Sequence, residues 1–318
     1  MTTPGTAPEI DDASISPALR TLLAEIIDYA GLFPPAALDM DATVLNYDRA
    51  IVDRWAWMIG RLVVPVDRLG EFEQAARHVL PTESDRDPWP LSVLVAPAGD
   101  PKLPEQLDLI REFNQVHAEP SQGLAFIDVV ELRGDEAAAV DEALDHMPET
   151  IFPYFELPLD HDPRGLIATL TGVDAGAKAR TGGVEPQFYP EPEHLARFIA
   201  ACAAGGVPFK ATAGLHHPLR HRATHVDAEE FGFLNVFVGA LLAYRNALDE
   251  AGLRDILVEP SIDAFSFTPS ELRWRDQALP LDDVEDGRLM FALSFGSCSI
   301  DEPVADLQDL GLFPRDPH

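Results

Sequence analysis

Eight short apolar runs recur along this chain, separated by longer stretches whose apolar residues fall at helical spacing. The runs are IIDYAGLF (26–33), MIGRLVVPV (58–66), PLSVLVAP (90–97), LAFIDVVEL (124–132), IFPYFELPL (151–159), GAKART (176–181), PFKATA (208–213) and LMFALSFGS (289–297). Their length and their content of Val, Ile, Leu and Phe predict buried strands, because a strand covered on both faces loses the apolar–polar alternation of a half-exposed one. Between them, stretches such as DATVLNYDRAIVDRWAW (41–57), PEQLDLIREFNQVH (104–117) and EPEHLARFIAACAAGG (191–206) begin near Asp or Pro, as helices do. Gly205-Gly206 predicts a C-cap before the next strand. The segment 227–252 reads as one long, largely apolar helix.

Strands alternating with helices eight times over predict an α/β fold, a single closed (β/α)8 TIM-type barrel, with an open doubly wound sheet as the alternative. Residues 1–16, rich in Pro, Thr and Asp, read as a disordered leader, and 17–318 as one barrel domain. The stretch 253–288 is too long for a simple connection and reads as an insertion before the last strand, either a lid or an interface segment.

Charge narrows the partners. Against 54 Asp+Glu the chain carries 23 Lys+Arg, a formal net charge of −31. Such a surface repels nucleic acid and anionic membrane. No apolar run reaches membrane-spanning length, and the first residues lack a signal-peptide pattern. The expectation is a cytoplasmic protein, with a homo-oligomer left open. The two cysteines, Cys202 and Cys298, form no CxxC pair, which excludes a disulfide framework and a thiolate zinc site.

Lysine usage changes the picture more. The chain has three lysines, Lys102, Lys178 and Lys210. Lys102 lies in a polar loop, whereas Lys178 and Lys210 sit in apolar, Gly/Ala-rich runs where a charge is costly. They fall on the sixth and seventh strands, about one β/α/β unit apart. In a barrel, strand C-termini line the active site, and neighbouring strands run roughly 4.8 Å apart. Two inward ammonium groups would then disfavour each other's charge, as would burial, and one would become a nucleophilic amine able to form a Schiff base. Asp128, on the fourth strand, could relay protons. The same residues also permit a structural arrangement, in which both lysines pair with Asp128, Glu131 or Glu156 inside the barrel.

The motifs FIDVV, GAKARTGG and PFKATAGL, in that order between about 126 and 214, resemble the Schiff-base (class I) aldolase barrels, particularly the deoxyribose-phosphate aldolases. The resemblance implies a catalytic aspartate at Asp128, the Schiff-base lysine at Lys178 and a second, tuning lysine at Lys210. It covers under a third of the chain. Arg180 and Leu215-His216-His217 depart from the family pattern.

The remaining polar residues at the strand ends, Glu156, Arg180, Thr181, Gly182, Gly183, Thr212, Gly214, His216, His217 and Ser297, are candidates for holding a small, carbonyl-bearing substrate. Thr181-Gly182-Gly183, Ala213-Gly214 and SFGSCS could present backbone N–H groups to a phosphate. The leading expectation is therefore a lyase or aldolase with no metal and no cofactor. Two alternatives stand beside it. A divalent metal at His216 and His217, with His221, His225 and a carboxylate such as Glu156 or Asp160 nearby, would make a metal-dependent hydrolase or lyase. A non-catalytic barrel that only binds a ligand is the other.

Overall fold

The computed structural model describes residues 15–83, 86–223 and 226–315. Thirteen strands occur among them: β1 (Ile27–Tyr29), β2 (Ile59–Pro65), β3 (Trp89–Leu94), β4 (Ala125–Arg133), β5 (Phe152–Glu156), β6 (Gly176–Arg180), β7 (Phe209–Thr212), β8 (His221–Ala223), β9 (Ala228–Glu230), β10 (Phe265–Phe267), β11 (Glu271–Trp274), β12 (Gln277–Pro280) and β13 (Ala292–Ser297). The eight strands β1–β7 and β13 close into a barrel in which every pairing is parallel. Each matches one of the eight apolar runs, and the closed barrel replaces the open-sheet alternative. The first run is shortened, with only Ile27–Tyr29 in the strand. In the last, 289–290 close the helix Leu281–Met290 and pairing begins at Ala292.

Register decides which side chains meet inside. Lys178 and Lys210 are direct Cα partners across β6 and β7, and Glu156 on β5 is the partner of Lys178. The β3–β4 pairing shifts between Leu91 and Ser92, opposite Ile127 and Val129, so Asp128 is the extra residue of a bulge. Asp128 and Glu131 are three residues apart, roughly 10 Å along the strand. They belong to different levels of the barrel.

The long helix expected over 227–252 is three elements. Ala228–Glu230 pairs with His221–Ala223 as an antiparallel ribbon, Phe233–Tyr244 is helical, and a second helix, Glu250–Leu257, starts after Asn246 turns the chain at φ 58°. Residues 233–243 are buried on every side, which an apolar helix without a polar face requires. Phe233 and Phe237 pack on Phe295 of the barrel, and Gly239 meets Leu253 and Ile256 of the next helix. The polar exception, Asn235, is fully satisfied: its amide donates to Ile256 and Glu259 carbonyls and its oxygen accepts from Arg220 N.

That helix also fixes the loop after β7. Phe233 N and Leu234 N, donors without helical partners at a helix start, bond to the carbonyls of His217 and Pro218. The approach is so close that a Cβ on Gly232 would stand 2.2 Å from the Pro218 oxygen. The loop carrying His217 is thus tied to the most deeply buried helix of the fold.

The insertion contains β10–β12, a three-stranded antiparallel sheet. It packs on the helices Pro17–Leu23 and Leu281–Met290, which lead into β1 and β13. Among the described residues it supplies nothing to the cavity at the opposite end, where the strands finish. Its position is that of a base, not of a lid over the mouth. Of the leader, 1–14 lie outside the described residues, while Ile15 is buried and Ser16 caps the helix Pro17–Leu23 through Leu19 N. No helix among the described residues is long and apolar enough to cross a membrane.

Candidate functional site

Two lysines and three carboxylates interlock where the strands end. Lys178 Nζ lies 2.8 Å from Glu131 Oε2 and 2.9 Å from Glu156 Oε2. Lys210 Nζ lies 2.6 Å from Glu131 Oε1 and 2.5 Å from Asp28 Oδ2. Glu131 therefore bridges the two ammonium groups, and Ser92 and Ser294 complete the shell by donating to Glu131 Oε1 and Asp28 Oδ2. Arg180 Nε bonds Glu156 Oε1 at 3.0 Å. Three carboxylates balance two ammonium groups and one guanidinium, the condition under which buried charges persist.

This balance reverses the expected electrostatics. Burial pushes both lysines toward the neutral amine, but Glu131 and Glu156 around Lys178, and Asp28 and Glu131 around Lys210, outweigh it, and both pKa values rise above the ordinary lysine range. Burial likewise works against the charge of Glu131 and Glu156, yet the facing cations hold both carboxyls below the usual carboxylate range. At rest both lysines are cations, so Lys210 does not depress Lys178. The reason is Glu131, whose charge separates what would otherwise be two facing like charges.

Asp128, expected beside the lysines, is elsewhere. Its carboxylate receives Arg61 Nε at 2.8 Å and Arg61 Nη2 at 2.5 Å. The pair lines a depression with Glu25, Tyr154 and Arg288, where the strands begin. The bulge sets Asp128 toward that end while Glu131 reaches the lysines. Asp28 was missed altogether. One signal marks it: a carboxylate inside the apolar run IIDY needs a buried partner as much as a lysine does.

Above the network a cavity of about 200 Å³ opens at the barrel mouth. It brings together Glu131, Lys178, Arg180, Gly183, Thr212 and His216, with Phe33, Leu94 and Phe188 among its apolar walls. Lys178 reaches this cavity; Lys210, at 0% exposure, does not. Glu156 touches the site through Lys178 and Arg180. Cys298 also lines the cavity, with Sγ 4.0 Å from the His216 ring nitrogens, and burial raises its thiol pKa.

Other candidates serve the walls. Thr181 donates from N and Oγ1 to the Thr212 carbonyl and from Oγ1 to Ala213 O. Gly182 and Gly214 stack backbone to backbone: a Cβ on Gly182 would lie 2.7 Å from Gly214 Cα, and Gly214 has φ 71°. This approach accounts for both glycines without an anion. Gly182→Ala is expected to lower stability by about 1–3 kcal/mol, the usual cost of overpacking, as a fall in the urea midpoint. Ala213, at φ 63°, holds a backbone conformation costing an L-residue about 1–2 kcal/mol, beside the cavity. Ser297 bonds within its own loop, Oγ to Ser299 O at 2.6 Å.

His217 is separate from the cavity. Its Nδ1 meets Asp306 at 2.5 Å, and its ring stands 4.2 Å from that of His221, centroid to centroid. His216 lies between the two places and lines both. His225 lies outside the described residues. Asp160 pairs with His161 at the surface and, like Glu156, does not join the histidines.

A closed parallel barrel with a charged, enclosed cluster beneath a mouth cavity is an architecture compatible with an enzyme. No family model matches the chain, and no curated protein matches it.

Proposed function

We propose that this protein is a lyase acting on a small carbonyl compound through a Schiff base on Lys178. The observation carrying this reading is that, of the two buried lysines, Lys178 alone reaches the mouth cavity, with its ammonium held between Glu131 and Glu156. The resemblance to class I aldolases supports it, with one change: Glu131, not Asp128, is the carboxylate beside the lysines.

The chemistry derives from the charges. Lys178 begins as an ammonium ion, so it must lose a proton, to Glu131 or Glu156, before its amine attacks the carbonyl carbon. The resulting carbinolamine loses its hydroxyl as water, taking back that proton. The product is an iminium ion, one positive charge where one stood before. Carboxylates arranged around the ammonium thus already surround the iminium, and the site needs no reorganisation to stabilise it. The iminium then takes up the electron pair of the Cα–Cβ bond, giving an enamine. A hydroxyl on the β carbon passes its proton to Glu131 or Glu156 as the departing fragment leaves as a carbonyl compound. That proton then goes to the enamine carbon, and water hydrolyses the iminium to free Lys178. Arg180 and His216 supply donors at the cavity wall for substrate oxygens, and Lys210 holds Glu131 in place.

The raised pKa of Lys178 favours a second reading, in which Lys178 stays protonated and donates a hydrogen bond to a carbonyl or enolate oxygen. Borohydride reduction in the presence of small aldehydes, ketones and sugar phosphates separates the two. A stable adduct on Lys178, located by peptide mass spectrometry, is expected under the first; turnover without any adduct would favour the second. Asp128→Asn is expected to leave adduct formation unchanged and to cost about 1–3 kcal/mol, since it weakens a two-bond pair with Arg61 that is only partly exposed. Loss of the adduct in this variant would return the catalytic role to Asp128.

A further inference from the structure

Outside the barrel mouth, His217, His221 and Glu230 place three donor atoms within 4.8 Å of one another, the one such group among the described residues. His221 and Glu230 are direct partners across the β8–β9 ribbon, with His221 Nε2 3.1 Å from Glu230 Oε2. His217 comes from the loop that the buried helix Phe233–Tyr244 fixes through the His217 carbonyl.

The hydrogen bonds behind these side chains favour ligation. His217 Nδ1 meets Asp306 Oδ2 at 2.5 Å, and His221 Nδ1 meets the Leu219 carbonyl at 3.1 Å. An acceptor at Nδ1 fixes an imidazole proton there, the arrangement that supports histidine ligands in metal sites, and His221 Nε2 would release the proton it shares with Glu230 Oε2 when it binds the ion. Glu230 Oε1 accepts from Tyr189 Oη at 2.9 Å, which orients Oε2 toward the histidines. Glu230 is 1% exposed, and its carboxylate is held in place between Tyr189 Oη and His221 Nε2.

We propose that His217, His221 and Glu230 bind one divalent transition-metal ion of the zinc class, through His217 Nε2, His221 Nε2 and Glu230 Oε2. Two imidazoles and one carboxylate suit zinc and its neighbours, whereas magnesium and calcium take oxygen donors. Bonds of about 2.1 Å put tetrahedral donors about 3.4 Å apart, so binding draws the three side chains slightly inward. Asp306 and Glu302 add negative charge around the site, and the guanidinium of Arg222 is engaged by Asp227 and Glu229. A cavity of about 300 Å³ borders the cluster and leaves the fourth position to water or a small anion. Through Asp306 the ion would also fasten the ribbon to the helix Asp301–Asp309. None of this depends on Schiff-base chemistry at Lys178.

The test uses the full chain without a histidine tag, treated with EDTA and dialysed, then titrated with zinc chloride by calorimetry and with cobalt(II) by visible absorption. One equivalent is expected, with the intense visible bands of four- or five-coordinate cobalt. Glu230→Gln and the double variant His217→Ala/His221→Ala should each bind zinc at least about a hundredfold more weakly, and Asp306→Asn about ten- to a hundredfold more weakly, as supporting carboxylates do. Asp306→Asn changes a partly exposed residue outside the proposed ligand set, so it reports even if the double variant fails to fold. Zinc binding by the wild type no tighter than by Asp306→Asn would overturn the proposal, as would wild-type cobalt showing only the pale spectrum of the hexaaqua ion.

Discussion

Lys210→Met is expected to lower the unfolding free energy by about 3–5 kcal/mol, the cost of removing one partner from a buried ion pair. Methionine roughly preserves the length of the side chain but not its charge. Asp28 and Glu131, 2% and 3% exposed, would then face an apolar side chain where an ammonium stood at 2.5 and 2.6 Å. In the wild type the linkage has a definite sign on both sides of neutrality. The lowered pKa of Glu131 gives stability that is present above the unfolded carboxylate value of about 4.3 and is lost as pH falls below it. The raised pKa of Lys210 gives stability that is present below about 10.4 and is lost as pH rises through the folded value. The variant lacks the cation, so Glu131 takes up its proton at higher pH than in the wild type. The stability gap should therefore be widest near pH 8 and narrow toward pH 5. Urea midpoints at both pH values check this, and a loss below about 1 kcal/mol that does not vary with pH would mean that the network is not a stabilising centre.

Lys178 should separate charge from chemistry. Lys178→Arg keeps a cation between Glu131 and Glu156, with its added bulk directed at the mouth cavity, but a guanidinium does not form a Schiff base. The expected result is a fold close to wild-type stability with no borohydride adduct and a fall in kcat of at least about a thousandfold. Lys178→Met should lose the same activity and stability besides. Activity retained by Lys178→Arg would favour the reading in which a permanently charged donor polarises the substrate. The pair of variants is more informative than either alone, because loss of folding and loss of the amine are otherwise confounded.

The barrel was legible because most residues of its strands are buried and leave short, largely apolar runs, and because two of three lysines stand at the same height on successive strands. Strand spacing alone brings Lys178 and Lys210 together. Their acidic partners were harder to identify. Asp28 meets Lys210 only after the barrel closes β1 against β13, across 182 positions of chain. In FIDVVEL the choice between Asp128 and Glu131 depends on a bulge, which a strict two-residue alternation cannot locate. The Schiff-base reading, with Asp128 as its carboxylate, left two ammonium groups facing each other and so expected a lowered lysine pKa, whereas the structural alternative, with the lysines pairing to Glu131 and Glu156, is the arrangement found. With Glu131 between them the sign changes. The ribbon β8–β9 was hidden by the apolar character of the adjoining helix Phe233–Tyr244, which extended a helical reading back to Asp227; without that ribbon, His221 and Glu230 had no reason to be paired.

The seclusion of two lysines has a practical side for anyone attaching a label to this protein. Bulky reagents that acylate primary amines would find Lys102, exposed at the head of the helix Leu103–His117, as the accessible lysine side chain among the described residues, since Lys178 opens only onto a cavity of about 200 Å³ and Lys210 is fully buried. A dye, a linker or a solid support coupled there would sit on the surface beside that helix, leaving the charged interior untouched.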